Sequence, residues 1–170
     1  MIGRYAVLAE RIRQELEELA PLVGRARRYV AVAVSSSDPE PYLDGAALNL
    51  HGFYSGLERV FEAIAREVDG SVPAGPHWHR ELLRQMQLAV RGVRPAVLTG
   101  ETAAALEEYL GFRHVVRALY TTRLRPDRIR ELADAAQGAF ERASGELLAF
   151  AAFLETAAAD QASSGDNAGR

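Results

Sequence analysis

The chain has 170 residues, 48% hydrophobic and 25% charged, with a formal net charge of −3. That length suits a single domain with a sizeable core, and no apolar run approaches the roughly 18 residues needed to cross a bilayer. The absence of cysteine excludes a disulfide framework and a thiolate metal site. With no signal peptide at the opening residues, a cytoplasmic protein without membrane association is the expectation.

In chain order the pattern reads as helices throughout. Tyr5, Leu8, Ile12, Leu16 and Leu19 recur at three- and four-residue spacing, one face of a helix. Pro21 should break or kink it, leaving a second segment over about Leu22 to Val34. Ser35 to Pro39 reads as a turn with capping residues. Leu50, Phe53, Tyr54, Leu57, Val60, Phe61, Ile64 and Val68 then keep one face apolar until Asp69-Gly70. A shorter helix is predicted from Trp78 to about Val90, with Leu82, Leu83, Met86 and Leu88 buried. Arg91 to Gly100 is a connection, and Thr99 is a candidate N-cap for the next helix, with Glu101 well placed in its first turn. Pro126 suits the first position of a final helix, whose core face carries Ile129, Leu132, Ala136, Phe140, Ala143, Leu147, Phe150 and Leu154.

Residues 1–158 are therefore expected to form one domain, an all-α, antiparallel up-and-down bundle, with residues 159–170 a disordered tail of Ala, Ser, Gly, Asp and Asn. There is no convincing strand and no internal repeat. A fold of this kind does not itself imply a function.

Every one of the 20 basic residues is arginine, a usage that GC-rich coding would also produce. Six of them (Arg113, Arg117, Arg123, Arg125, Arg128 and Arg130) fall within 18 positions, where Asp127 is the only acidic residue. A basic patch of this kind can bind RNA within an acidic protein; a solvated arginine face is the competing reading.

The segment before that window carries the densest chemistry. On a helix, Tyr109, Phe112, Val116 and Leu119 share an apolar arc, while Arg113, Arg117 and Tyr120 stack as a stripe at its edge. His114 and Ala118 form a second stripe beside it. Two guanidiniums, an imidazole and a phenol in eight residues suit a phosphate or nucleotide. Glu58, on the most apolar helix, requires a partner if it sits at the core edge; Arg113 is the candidate, and a solvated Glu58 the alternative. His77 and His79 diverge at i, i+2 with no completing ligand, so no metal is assigned. Capping and packing of Trp78 account for that stretch, and His51 reads as a core-edge histidine. No Gly-rich phosphate loop follows a strand.

Several blocks in order carry a resemblance: Asn49 to Phe61, Trp78 to Leu83 with Met86, Arg94-Pro95, and Phe112 to Arg117 with Tyr120. Together, over roughly residues 5–155, they resemble the HepT-like branch of the HEPN superfamily. The resemblance implies an all-helical homodimer encoded beside a small nucleotidyltransferase, in a toxin–antitoxin system. It further implies a metal-independent endoribonuclease toxin, needing no cofactor, with RNA as substrate, neutralised when the partner transfers AMP to a tyrosine. In the family's Arg-x4-His-x-Tyr motif the Arg position is Arg113 and the Tyr position is Tyr120. The His position is Ala118, a natural loss or an inactivating substitution. Arg113 can stabilise charge on a phosphate, whereas alanine cannot take a 2′-OH proton. His114 lies one turn earlier and is a possible substitute, although a shift of about 6 Å along the helix misplaces a base. Arg117 and Arg123 would hold the RNA backbone, and Glu58 would support Arg113. A non-catalytic binding partner of a nucleotidyltransferase is the alternative function, and a purely structural adaptor the third.

Overall fold

A computed structural model describes residues 3–117 and 124–167, without the side chains of 114, 115, 117 and 164–167. It contains α1 (Arg4–Ser35), α2 (Glu40–Ile64) continued by a π-helical turn (Ala65–Asp69), α3 (Trp78–Met86), α4 (Gly100–Arg117) and α5 (Pro126–Asn167). Among the described residues the only strand-like pairing is an isolated bridge between Val90 and Arg94. The all-α bundle expected from the periodicity is the fold observed.

Side-chain pairings fix the directions of the helices. Arg11 reaches Glu67, Glu15 reaches Arg59, and Leu22 and Tyr29 face Gly52 and Gly45, so α1 and α2 run antiparallel. Arg13 pairs with Glu155 while Gly3 faces Ala158, which sets α5 antiparallel to α1. Tyr109 bonds the Leu132 carbonyl and Thr99 meets Glu146, giving α4 and α5 the same relation. A Cβ at Gly56 would collide with Leu19; glycine is required there for α1 and α2 to approach so closely.

Pro21 does not break α1, which is continuous from Arg4 to Ser35. Both Pro21 and Glu17, whose carbonyl loses its helical donor, are on the solvent side, where water can serve that carbonyl. On the opposite face Leu16, Leu19, Val23 and Ala26 are buried. Burial contributes roughly 1.5–3 kcal/mol for each large apolar side chain, enough to outweigh the ~3 kcal/mol cost of an interior proline.

Helix α3 ends at Met86, short of the expected Val90, and Leu88 is 60% exposed rather than buried. The Met86 carbonyl accepts from the backbone N–H groups of Val97 and Leu98 at 2.8 and 3.1 Å, and Val90 N–H donates to Arg94 at 2.9 Å. The bond that would extend the helix is therefore not made. Helix α5 continues to Asn167, past the tail boundary expected at 159. Ala157-Ala158-Ala159 has the highest intrinsic helix propensity of any such run.

The π-helical turn ends at Gly70, in the left-handed conformation at φ 68°, and presents Asp69 to the connection after α3. Arg94 donates from Nε and Nη2 to Asp69 at 2.6 and 2.8 Å, and to the carbonyls of Leu88, Pro95 and Gln85. Gln85 also donates to Asp69 at 2.7 Å. This clamp ties α3 and the connection to the end of α2. Thr99 caps α4 as expected, accepting from Thr102 N–H at 3.3 Å. Glu146 of α5 accepts from Thr99 N–H and from both threonine hydroxyls, so a carboxylate faces the positive end of α4.

Candidate functional site

Helix α4 is positioned by its apolar arc. Tyr109, Phe112 and Val116 are buried as the wheel predicts, and Tyr109 meets Phe53 edge-on at 5.4 Å. That packing carries Arg113, at the margin of the arc, across the lower part of α2. The expected contact with Glu58 is present, at 3.5 Å from Arg113 Nη1 to Oε1.

Glu58 has a closer partner. His79, from the first turn of α3, stands 2.7 Å from Glu58 Oε2 through Nδ1. Arg113 Nη1 lies 2.8 Å from both ring nitrogens of His79. Glu58 is only 4% exposed, and the side chains of Arg113 and His79 are 18% and 21% exposed. A buried carboxylate is thus covered by a guanidinium and an imidazole whose outer edges reach solvent. Trp78 stacks on His79, with ring centroids 3.6 Å apart and planes tilted by 33°.

Two polar atoms in and beside the cluster stand out. The Tyr54 hydroxyl and Arg113 Nε are buried without a hydrogen-bond partner among the described residues. Burial, reinforced by the charge of Glu58, raises the Tyr54 phenol well above its ordinary range, so it stays a neutral donor at any physiological pH. Unsatisfied buried polar atoms are uncommon, and each asks for a reason.

Sequence reasoning assigned His79 to packing and capping. Instead it completes this cluster, while His77 makes no side-chain cap. The available signal was Glu58 itself: a carboxylate on an apolar face demands cationic or hydrogen-bonding neighbours. Its second partner sits on a helix 21 positions further along the chain, which no local pattern reveals. Among the described residues no group of three or more His, Asp or Glu is arranged to hold a metal ion.

Of the other expected site residues, Ala118, Tyr120 and Arg123 lie outside the described residues, as do the side chains of His114 and Arg117. The basic window is partly engaged by carboxylates. Arg125 pairs with Asp127, and Arg128 with both Glu108 and Glu131. None of the helices described is long and apolar enough to cross a membrane.

Fold and site together define an all-α bundle with an arginine-centred polar cluster where the motif helix crosses α2. A family model described as "HepT-like protein" matches residues 45–154, which include Glu58, His79 and Arg113. The chain belongs to this HepT-like family, within the HEPN superfamily. No curated protein matches it, and no solved structure does.

Proposed function

We propose that this protein is the toxin component of a HepT-like toxin–antitoxin pair, an endoribonuclease by class. Two copies place their α4 helices together around a cleft for single-stranded RNA, and a small nucleotidyltransferase silences the site by transferring AMP to Tyr120. The observation that carries the reading is Arg113: a guanidinium held 3.5 Å from the buried Glu58, with its side chain 18% exposed. A guanidinium fixed in this way suits a phosphodiester oxygen, whose charge it stabilises as the phosphorus becomes five-coordinate. Arg117 and Arg123 extend the grip along the backbone, and charge-driven binding of this kind weakens with salt. AMP on Tyr120, seven residues beyond Arg113 on the same predicted stripe, adds negative charge beside the cleft and repels RNA.

The test is incubation with a single-stranded RNA oligonucleotide, comparing the native chain with Ala118→His. Cleavage that appears or rises in Ala118→His, and disappears when Arg113→Ala is added, supports the ribonuclease reading. Absence of cleavage in both proteins sinks it. A second reading, a non-catalytic partner that presents Tyr120 to the nucleotidyltransferase, is favoured by the alanine at the motif histidine position. It predicts AMP transfer to Tyr120, read as a mass gain that Tyr120→Phe abolishes, with no RNA cleavage by either chain.

A further inference from the structure

We propose that His79, oriented by Glu58, is the general base of this site and does the work that position 118 cannot. The proposal rests on the ribonuclease reading above. An ionised carboxylate only accepts hydrogen bonds, so the 2.7 Å contact with Glu58 places a proton on His79 Nδ1. The neutral ring then carries its lone pair on Nε2, the tautomer of a histidine base held by an acidic partner. Arg113 does not consume that lone pair. Its Nη1 is equidistant, at 2.8 Å, from Nδ1 and Nε2, which puts it over the ring rather than in the ring plane where the lone pair points. Trp78 stacks on the ring at 3.6 Å, and two groups that close cannot share one face. The imidazole is therefore held between indole and guanidinium, with its Nδ1 edge fixed by Glu58.

The juxtaposition supplies base and electrophile in one place. A phosphodiester gripped by the Arg113 guanidinium brings the adjoining ribose 2′-hydroxyl towards the imidazole beside it. Nε2 takes the 2′-OH proton while O2′ forms its bond to phosphorus, and the P–O5′ bond breaks. O5′ takes a proton from water, and the hydroxide so formed recovers the proton from the imidazolium. The products are a 2′,3′-cyclic phosphate end and a 5′-hydroxyl end, with Arg113 stabilising the charge on the non-bridging oxygens. Glu58 is a positioning residue, holding the ring's orientation and tautomer through Nδ1.

The experiment uses the full chain and an end-labelled single-stranded RNA oligonucleotide, with four proteins: native, His79→Gln, Ala118→His, and Ala118→His/His79→Gln. A thermal melt of each shows that it is folded. The expected result is cleavage by the native chain to a 2′,3′-cyclic phosphate, lost by at least about 100-fold in His79→Gln and regained in the double variant. A fifth protein, Glu58→Gln, should lower kcat with KM little changed. Native cleavage that survives His79→Gln overturns the role of His79 and leaves the ribonuclease reading intact. Cleavage by Ala118→His but not by the native chain does the same. Cleavage by none of the four overturns both.

Discussion

Arg94 and Arg113 are both drawn against a carboxylate on the segment formed by α2 and its π-helical turn, yet their surroundings differ in kind. Arg94 is sealed from solvent, holds Asp69 with two nitrogens and fills its remaining donors with three backbone carbonyls. Arg113 is partly open and meets Glu58 and His79 through one nitrogen; among the described residues neither its buried Nε nor the buried Tyr54 hydroxyl has a partner. A fully satisfied buried pair can serve only structure, since no donor is left for a ligand. An incompletely satisfied one leaves polar atoms that call for an explanation, a role in function being one. The contrast marks Arg94 as a strut, and on the function proposed above Arg113 is the working group.

The largest expected effect lies on the strut. Arg94→Ala removes both guanidinium bonds to Asp69, at 2.6 and 2.8 Å, and leaves that interior carboxylate with only the neutral Gln85 amide; breaking a buried pair typically costs about 3–5 kcal/mol. Urea denaturation should show a loss in this range; a change below about 1 kcal/mol would erase the distinction between the two arginines.

An alkaline titration comes next. Burial pushes the Tyr109 phenol up to about 12 from an ordinary 10, so the unfolded chain ionises first. Its contribution is complete below pH 10 and is lost as pH rises from 10 through about 12, on the order of 2 kcal/mol. Tyr54 is raised in the same direction and steepens the loss. Denaturant midpoints across this range, with tyrosinate absorbance as the ionisation probe, check the sign.

Arg113→Ala should cost only about 1 kcal/mol, because its contact with Glu58 is 3.5 Å long and Glu58 keeps the hydrogen bond from His79; on the proposed function, RNA cleavage falls to background. Equal stability losses for Arg94→Ala and Arg113→Ala would show that both clusters are structural.

The smallest effect separates two tyrosines. Tyr109→Phe removes a hydroxyl that donates to the Leu132 carbonyl at 2.8 Å and should cost roughly 1 kcal/mol. Tyr54→Phe removes one that bonds to no described residue and should be neutral or slightly stabilising. A comparable loss in both would mean that the Tyr54 hydroxyl has a partner in solution.

Much of the fold was legible because amphipathic spacing is a local property. Leu50 to Val68 and Ile129 to Leu154 buried the faces their periodicity indicated, and Thr99 capped where expected. The misreadings came where a local rule met a distant bond. Pro21 was tolerated because its helix packs on two others. Leu88 was left outside because the Met86 carbonyl is taken by Val97 and Leu98. The Arg113–Glu58 contact could be anticipated, since each residue raised a need that the other met. His79 could not, because its neighbours in sequence gave it an adequate role of their own.

The sequence by itself determined the helical class, the faces that pack, the HepT-like family and the arginine at the centre of the candidate site, all of which follow from spacing and residue type along the chain. Only the tertiary structure decided that Glu58 bonds His79, that Arg113 lies over that imidazole, and that Arg94 is locked to Asp69. Those outcomes depend on where α2, α3 and α4 cross, and the crossing is set by the summed packing of residues far apart in sequence, which no single segment encodes.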